Sequence, residues 1–127
     1  MSTALEVVQT FYSLFAEGDI DRALAQFDSD CVTVTPGSTM TQADHRVELL
    51  ALKDGFPDAR LRADFIVDSP SLAAVFGVCE GTAKDTQRAN LHVPFADYFE
   101  VVDGLIVAHR TVFDRSELAR HKDPENC

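Results

Sequence analysis

The chain opens with a helical pattern. Over residues 3–17, Ala4, Leu5, Val7, Val8, Phe11, Tyr12, Leu14 and Phe15 fall on one side at about 100° per residue, with Glu6, Gln9, Thr10, Ser13 and Glu17 on the other. Gly18 supplies a C-terminal stop, and Asp19 caps a second helix with Ile20, Ala23, Leu24 and Phe27 at i, i+3, i+4, i+7. The period then changes. Residues 31–35, Cys-Val-Thr-Val-Thr, are rich in β-branched side chains and predict a short strand ended by Pro36-Gly37. Thr41, with Asp44 three residues on, forms a capping box for a third helix that Gly55 closes.

The remainder alternates with a period of two. Residues 59–68 set Leu61, Ala63, Phe65 and Val67 against Arg60, Arg62, Asp64 and Asp68, which predicts a strand with Arg60 and Arg62 on a solvated face. Further strands are predicted over 71–80, 89–102 and 105–114, with a polar turn over 81–88 and a tight turn at Asp103-Gly104. Helices first and an antiparallel sheet second predict an α+β domain with helices covering one sheet face. Residues 1–118 read as one domain and 119–127 as a polar tail, with fraying from Arg115 onward.

Composition narrows the function classes. A chain of 127 residues, 46% hydrophobic, fits one domain that builds a core or a pocket without staples. The net charge of −10 and the lack of any Lys/Arg run argue against nucleic acid and anionic membranes as partners. Cys31, Cys79 and Cys127 are odd in number and match no zinc or disulfide spacing, so reduced thiols and a cytoplasmic location are expected. The N-terminus lacks the basic and apolar regions of a signal peptide, and no apolar stretch approaches the roughly 18 residues of a membrane span.

The most informative segment is Leu91–Val101. One face carries Leu91, Val93, Phe95, Asp97, Phe99 and Val101, so a single carboxylic acid stands in an apolar row. A lone carboxylate there is costly unless paired or protonated, which makes Asp97 a candidate hydrogen-bond donor to a ligand oxygen. Its partner depends on the hairpin. A two-residue Asp103-Gly104 turn sets Asp97 opposite Arg110, as in a structural ion pair. A three-residue loop with a bulge sets it opposite His109 and brings Thr111 into the same cavity. His92 on the outer sheet face, His45 on the third helix and His121 in the tail read as surface residues. No His/Asp/Glu spacing suggests a metal site, and there is no Gly-rich phosphate loop or nucleophile elbow.

Three segments carry a family resemblance: Phe-Ala-Glu-Gly-Asp-Ile-Asp at 15–21, Gly-Phe-Pro-Asp at 55–58 and Phe-Glu-Val-Val-Asp-Gly-Leu-Ile at 99–106. With the element order, they resemble the nuclear-transport-factor-2-like cone folds, most closely the SnoaL-like polyketide cyclase and ketosteroid isomerase-like branch. The resemblance implies a curved, mainly antiparallel sheet around a conical apolar pocket, N-terminal helices closing it, a small hydrophobic ligand and a homodimer. It favours the bulged loop, with Asp97, His109 and Thr111 inward.

Catalytic parts transfer only singly. Asp97 matches the ketosteroid isomerase aspartic acid that donates to the substrate oxyanion. The isomerase base falls on Thr35, which cannot serve as that base. The helix tyrosine falls on Phe11, with Tyr12 next door and rotated by about 100°. The cyclases place histidine at Asp97 and aspartate at Thr111, and neither matches. Limonene epoxide hydrolases share Arg110 but need an aspartate at Thr111 and an Arg-x-Asp on an earlier strand, where residues 71–80 offer only Glu80.

The resulting expectation is a SnoaL-like protein that binds a small hydrophobic carbonyl or phenolic metabolite, with isomerase-, cyclase- or dehydratase-type chemistry and no cofactor. Asp97, holding or polarising an oxygen, and His109, transferring a proton near neutrality, are the candidate catalytic residues. Phe11, Tyr12, Phe15, Thr35, Phe95, Phe99, Thr111 and Phe113 are the candidate substrate-binding residues. The alternative is a non-catalytic binding or dimerisation module of the same fold. A dimerisation module would have its cone filled by Phe11, Phe15, Phe95, Phe99 and Phe113.

Overall fold

A computed structural model describes residues 2–114; the expectations for the 119–127 tail, fraying from Arg115, His121 and Cys127 lie outside the described residues. Helix α1 (Ala4–Glu17) starts at a Thr3–Glu6 capping box and stops at Gly18, whose φ of 83° suits glycine. Helix α2 (Ile20–Leu24) begins at the Asp19 cap but is shorter than its apolar period suggests. Phe27 leaves it to bridge Ile106 in parallel, because the amides of Asp28 and Ile106 find carbonyls in each other's segment. Helix α3 (Gln42–Gly55) carries the predicted Thr41–Asp44 box.

Between α2 and α3 lie β1 (Thr33–Thr35) and β2 (Ser38–Met40). The Pro36-Gly37 pair does not end the sheet there. It turns the chain back into a hairpin, with Gly37 at φ 74° in the left-handed position that such a turn requires. Strands β3 (Arg60–Asp68), β4 (Leu72–Gly81), β5 (Leu91–Val102) and β6 (Leu105–Phe113) complete one curved, unclosed sheet in the order β2-β1-β6-β5-β4-β3. All its pairs are antiparallel except β1 with β6, so the sheet is mixed. The helices pack on its inner face, against Ala73, Val75, Val93, Phe99 and Ile106. Among the described residues, no helix is long and apolar enough to cross a membrane.

Two bulges decide which side chains face inward. In β3 the register slips between Ala63 and Phe65, leaving Asp64 unpaired. The expected row Leu61, Ala63, Phe65, Val67 is therefore broken: Leu61 stays on the inner face, and Phe65 and Val67 turn outward. Gly77 lies beside this bulge, and a Cβ there would fall 1.9 Å from the Arg62 carbonyl oxygen. In β6 the slip leaves Val107 unpaired after a two-residue Asp103-Gly104 turn with positive φ at both residues. Asp97 accordingly lies opposite Thr111, and Phe99 opposite His109. Neither register considered from sequence is the observed one. The bulge sits in the strand rather than the loop, and Arg110 pairs with Tyr98 on the outer face.

Candidate functional site

On β5, alternate residues are buried as the sequence predicts, so Asp97 enters the interior with Phe95 and Phe99 on either side. The β6 bulge brings His109 and Thr111 to the same face. Between α1, α3 and the sheet lies a cavity of about 110 Å³, far more than a single water needs. Its deep part is made by Phe11, His45, Leu49, Cys79, Val93, Phe95, Asp97 and His109; Met40, Glu48, Leu52, Leu61, Thr111 and Phe113 complete the wall at partly exposed positions. Among the described residues, no lysine or arginine lines it.

The polar groups form a chain through the interior. The Tyr12 hydroxyl donates to Asp97 Oδ2 at 2.6 Å. Asp97 Oδ1 faces His109 Nε2 at 3.6 Å, beyond a good hydrogen bond. His109 Nδ1 lies 2.8 Å from Thr33 Oγ1, which lies 3.4 Å from His45 Nδ1. The His109 ring stacks on Phe99 with centroids 4.5 Å apart and planes 7° from parallel. Its Nε2 is buried and has no hydrogen-bond partner among the described residues.

Burial sets the protonation of the surrounding groups. It lowers the His45 pKa to about 4, with His109 adding to the shift and Asp97 opposing it. Burial raises the Tyr12 phenol far above its usual range, and the Asp97 charge reinforces this, so Tyr12 remains a hydrogen-bond donor. Burial also raises the Cys79 thiol to about 12, helped by Asp97 and Glu80. Among the described residues, no group of three His, Cys, Asp or Glu could hold a metal ion.

Of the residues singled out from sequence, Phe11, Phe95, Asp97, His109, Thr111 and Phe113 line the cavity. Tyr12 and Phe99 lie behind it, one bonded to Asp97 and the other stacked under His109. Phe15 does not reach the cavity. It is fully buried in the core with the Lys53 ammonium over its ring. Thr35 is also absent from the wall, and its hydroxyl donates to the Ser38 carbonyl. The expectation of a surface His45 is wrong: it is buried in the cavity wall. His45, Leu49 and Leu52 recur at i, i+4, i+7 on α3, a signal that marks an inward stripe. Thr33 was also missed, because three residues of β1 do not reveal which face is buried.

No curated protein sequence matches the chain. Solved structures do. A protein with a ketosteroid isomerase-like fold from Catenulispora acidiphila, solved in complex with trimethylamine, superposes with a TM-score of 0.76 at 16% identity, covering 99% of this chain and 98% of that one. PrhC from Penicillium brasilianum gives 0.77 at 16% identity, covering 96% and 85%. A candidate SnoaL-like polyketide cyclase from Shewanella putrefaciens gives 0.75 at 9% identity, covering 92% and 93%. At these identities the superpositions show a shared fold. The SnoaL-like domain family matches residues 8–109, most of the sequence, and the chain belongs to that family.

Proposed function

We propose that the cavity binds a small neutral carbonyl or phenolic molecule and moves a proton on it without a cofactor, as in isomerisation, cyclisation or dehydration. One observation carries this reading: among the described residues His109 Nε2 is buried without a hydrogen-bond partner, 3.6 Å from Asp97 Oδ1, at the wall of the cavity. An unpaired buried polar atom costs about 1–3 kcal/mol, and a ligand oxygen would recover that cost. Among the described residues the wall has no lysine or arginine and carries Glu48 and Asp97, which disfavours a carboxylate or phosphate ligand. That a neighbour of the same fold was solved with trimethylamine supports small-molecule capture as a use of the fold.

The test is deuterium uptake at the α-carbon of 2-tetralone in D2O, followed by NMR. The protein should accelerate exchange over buffer, and Asp97→Asn or His109→Gln should each remove about 100-fold or more of that acceleration. Binding without exchange would favour the non-catalytic module. No binding of 2-tetralone, 2-naphthol or cyclohexenone would sink the reading.

A second proposal concerns assembly. Phe65, Phe76, Ala96 and Val112 form one cross-strand row on the outer sheet face, where Phe65, Phe76 and Val112 are 74%, 49% and 59% exposed. Such an apolar row suits burial against a second copy in a homodimer. Light scattering should give twice the chain mass, and Phe76→Glu should give a monomer; a monomeric wild type would end the proposal.

A further inference from the structure

We propose that Thr33 and His45 hold His109 as the neutral tautomer protonated on Nε2, so that His109 donates a hydrogen bond into the cavity and Asp97 is the group that accepts a proton. The assignment follows from counting protons along the buried chain. A hydroxyl has one proton, so Thr33 Oγ1, set between two imidazole Nδ1 atoms, donates to one of them at most. Accepting from both would protonate His109 on Nδ1 and leave its Nε2 bare, as does the first of the two directions in which Thr33 donates to one ring and accepts from the other.

Two directions are then available. In one, His109 Nδ1–H donates to Thr33 and Thr33 donates to His45. With Asp97 ionised, that leaves His109 Nε2 bare, facing Asp97 Oδ1 at 3.6 Å, with two acceptors opposed in the buried interior. In the other, His45 Nδ1–H donates to Thr33, Thr33 donates to His109 Nδ1, and His109 Nε2–H points toward the carboxylate. Every donor then runs the same way, and Tyr12 adds its own proton to the other carboxylate oxygen. The second direction leaves a single negative charge on Asp97 with donors on both sides. The depressed pKa of His45 keeps that ring neutral in either direction.

This arrangement exchanges the roles expected from sequence, where Asp97 held the oxygen and His109 moved the proton. Naming Asp97 as the acceptor rests on the proton-transfer reading above; the tautomer assignment does not. In an enolisation, Asp97 Oδ1 takes the proton from the α-carbon. The C–H electron pair becomes the C=C bond, the carbonyl π pair moves onto oxygen, and His109 Nε2–H stabilises that oxygen without giving up its proton. Asp97 then returns the proton to carbon. Thr33 and His45 touch neither reacting atom and act as positioning residues, although His45 borders the cavity.

Long-range proton–nitrogen correlation spectra of the ¹⁵N-labelled protein at pH 7.5 test the assignment, with His45→Gln and His109→Gln to identify the rings. The wild type should show His109 protonated on Nε2 alone and His45 on Nδ1 alone. Thr33→Ser should keep both tautomers, and Thr33→Val should move His45 to its Nε2–H form. A wild-type His109 protonated on Nδ1, either alone or as a cation, overturns the inference. So does a Thr33→Val protein with both tautomers unchanged. If Thr33→Val does not fold, the wild-type and Thr33→Ser spectra decide. The expected tautomers without deuterium exchange would support the assignment and remove the reaction, so the two failures are separable.

Discussion

The Tyr12 hydroxyl lies 2.6 Å from Asp97 Oδ2 and ties α1 to the middle of β5. Both side chains are buried, and the phenol keeps its proton because burial and the nearby charge oppose its loss. The bond commits one carboxylate oxygen and leaves Oδ1 for the cavity. Tyr12→Phe keeps the ring and removes the donor. It should cost about 2 kcal/mol, the range for a hydrogen bond to a charged group. Urea unfolding of Tyr12→Phe, Asp97→Asn and the double variant would measure the coupling. Additive losses would mean that the bond contributes nothing.

His45 makes stability depend on pH. Its pKa falls from 6.5 to about 4 on folding, so the unfolded chain binds this proton more readily than the folded one. The His45 contribution is therefore fully present above pH 6.5 and is lost as pH falls toward 4. At about 1.4 kcal/mol per unit, the loss is about 3 kcal/mol. Unfolding free energies from pH 7 to 4 should fall more steeply for wild type than for His45→Gln. Parallel curves would show that His45 titrates normally.

The helices and β5 were legible because each writes its own period. The Thr41–Asp44 box and the apolar row from Leu91 to Val101 survive into the structure unchanged. What was not legible turns on single residues. Asp64 and Val107 each leave the ladder as bulges and invert the faces that follow. Periodicity cannot locate an inserted residue when apolar side chains occupy both faces, as they do along β6. That is why Asp97 faced two candidate partners in the sequence, and why neither was its cross-strand neighbour. His45 fails differently: its stripe was present, but a histidine among polar residues on α3 resembles a solvated one.

Gly77 tests the β3 bulge. A Cβ at this position would lie 1.9 Å from the Arg62 carbonyl oxygen and 2.9 Å from its carbon, both main-chain atoms that cannot swing aside. Gly77→Ala must therefore push β3 away from β4. The expected loss is about 2 kcal/mol or more, toward the upper end for overpacking. Hydrogen exchange should show faster amides in β3 and β4, with α1 little changed. A variant as stable as wild type would mean that the Arg62 carbonyl does not close on Gly77.

Cys79 reports on the cavity itself. Burial and its acidic neighbours raise the thiol to about 12 against an ordinary value of 9.0. At pH 8 the thiolate fraction is then about a thousand-fold smaller. Greater nucleophilicity at higher pKa returns part of this, leaving a reaction about 30- to 60-fold slower on chemical grounds alone. Limited access in the cavity wall slows it further. In a Cys31→Ser, Cys127→Ser chain, the remaining thiol should react with a disulfide reagent at least that much more slowly than after unfolding in urea. Because Cys79 borders the same space as Asp97 and His109, a molecule bound there should slow it again. Equal rates in the folded and unfolded chain would place the thiol in solvent. Slow labelling that saturating 2-tetralone leaves unchanged would place that ligand outside the cavity.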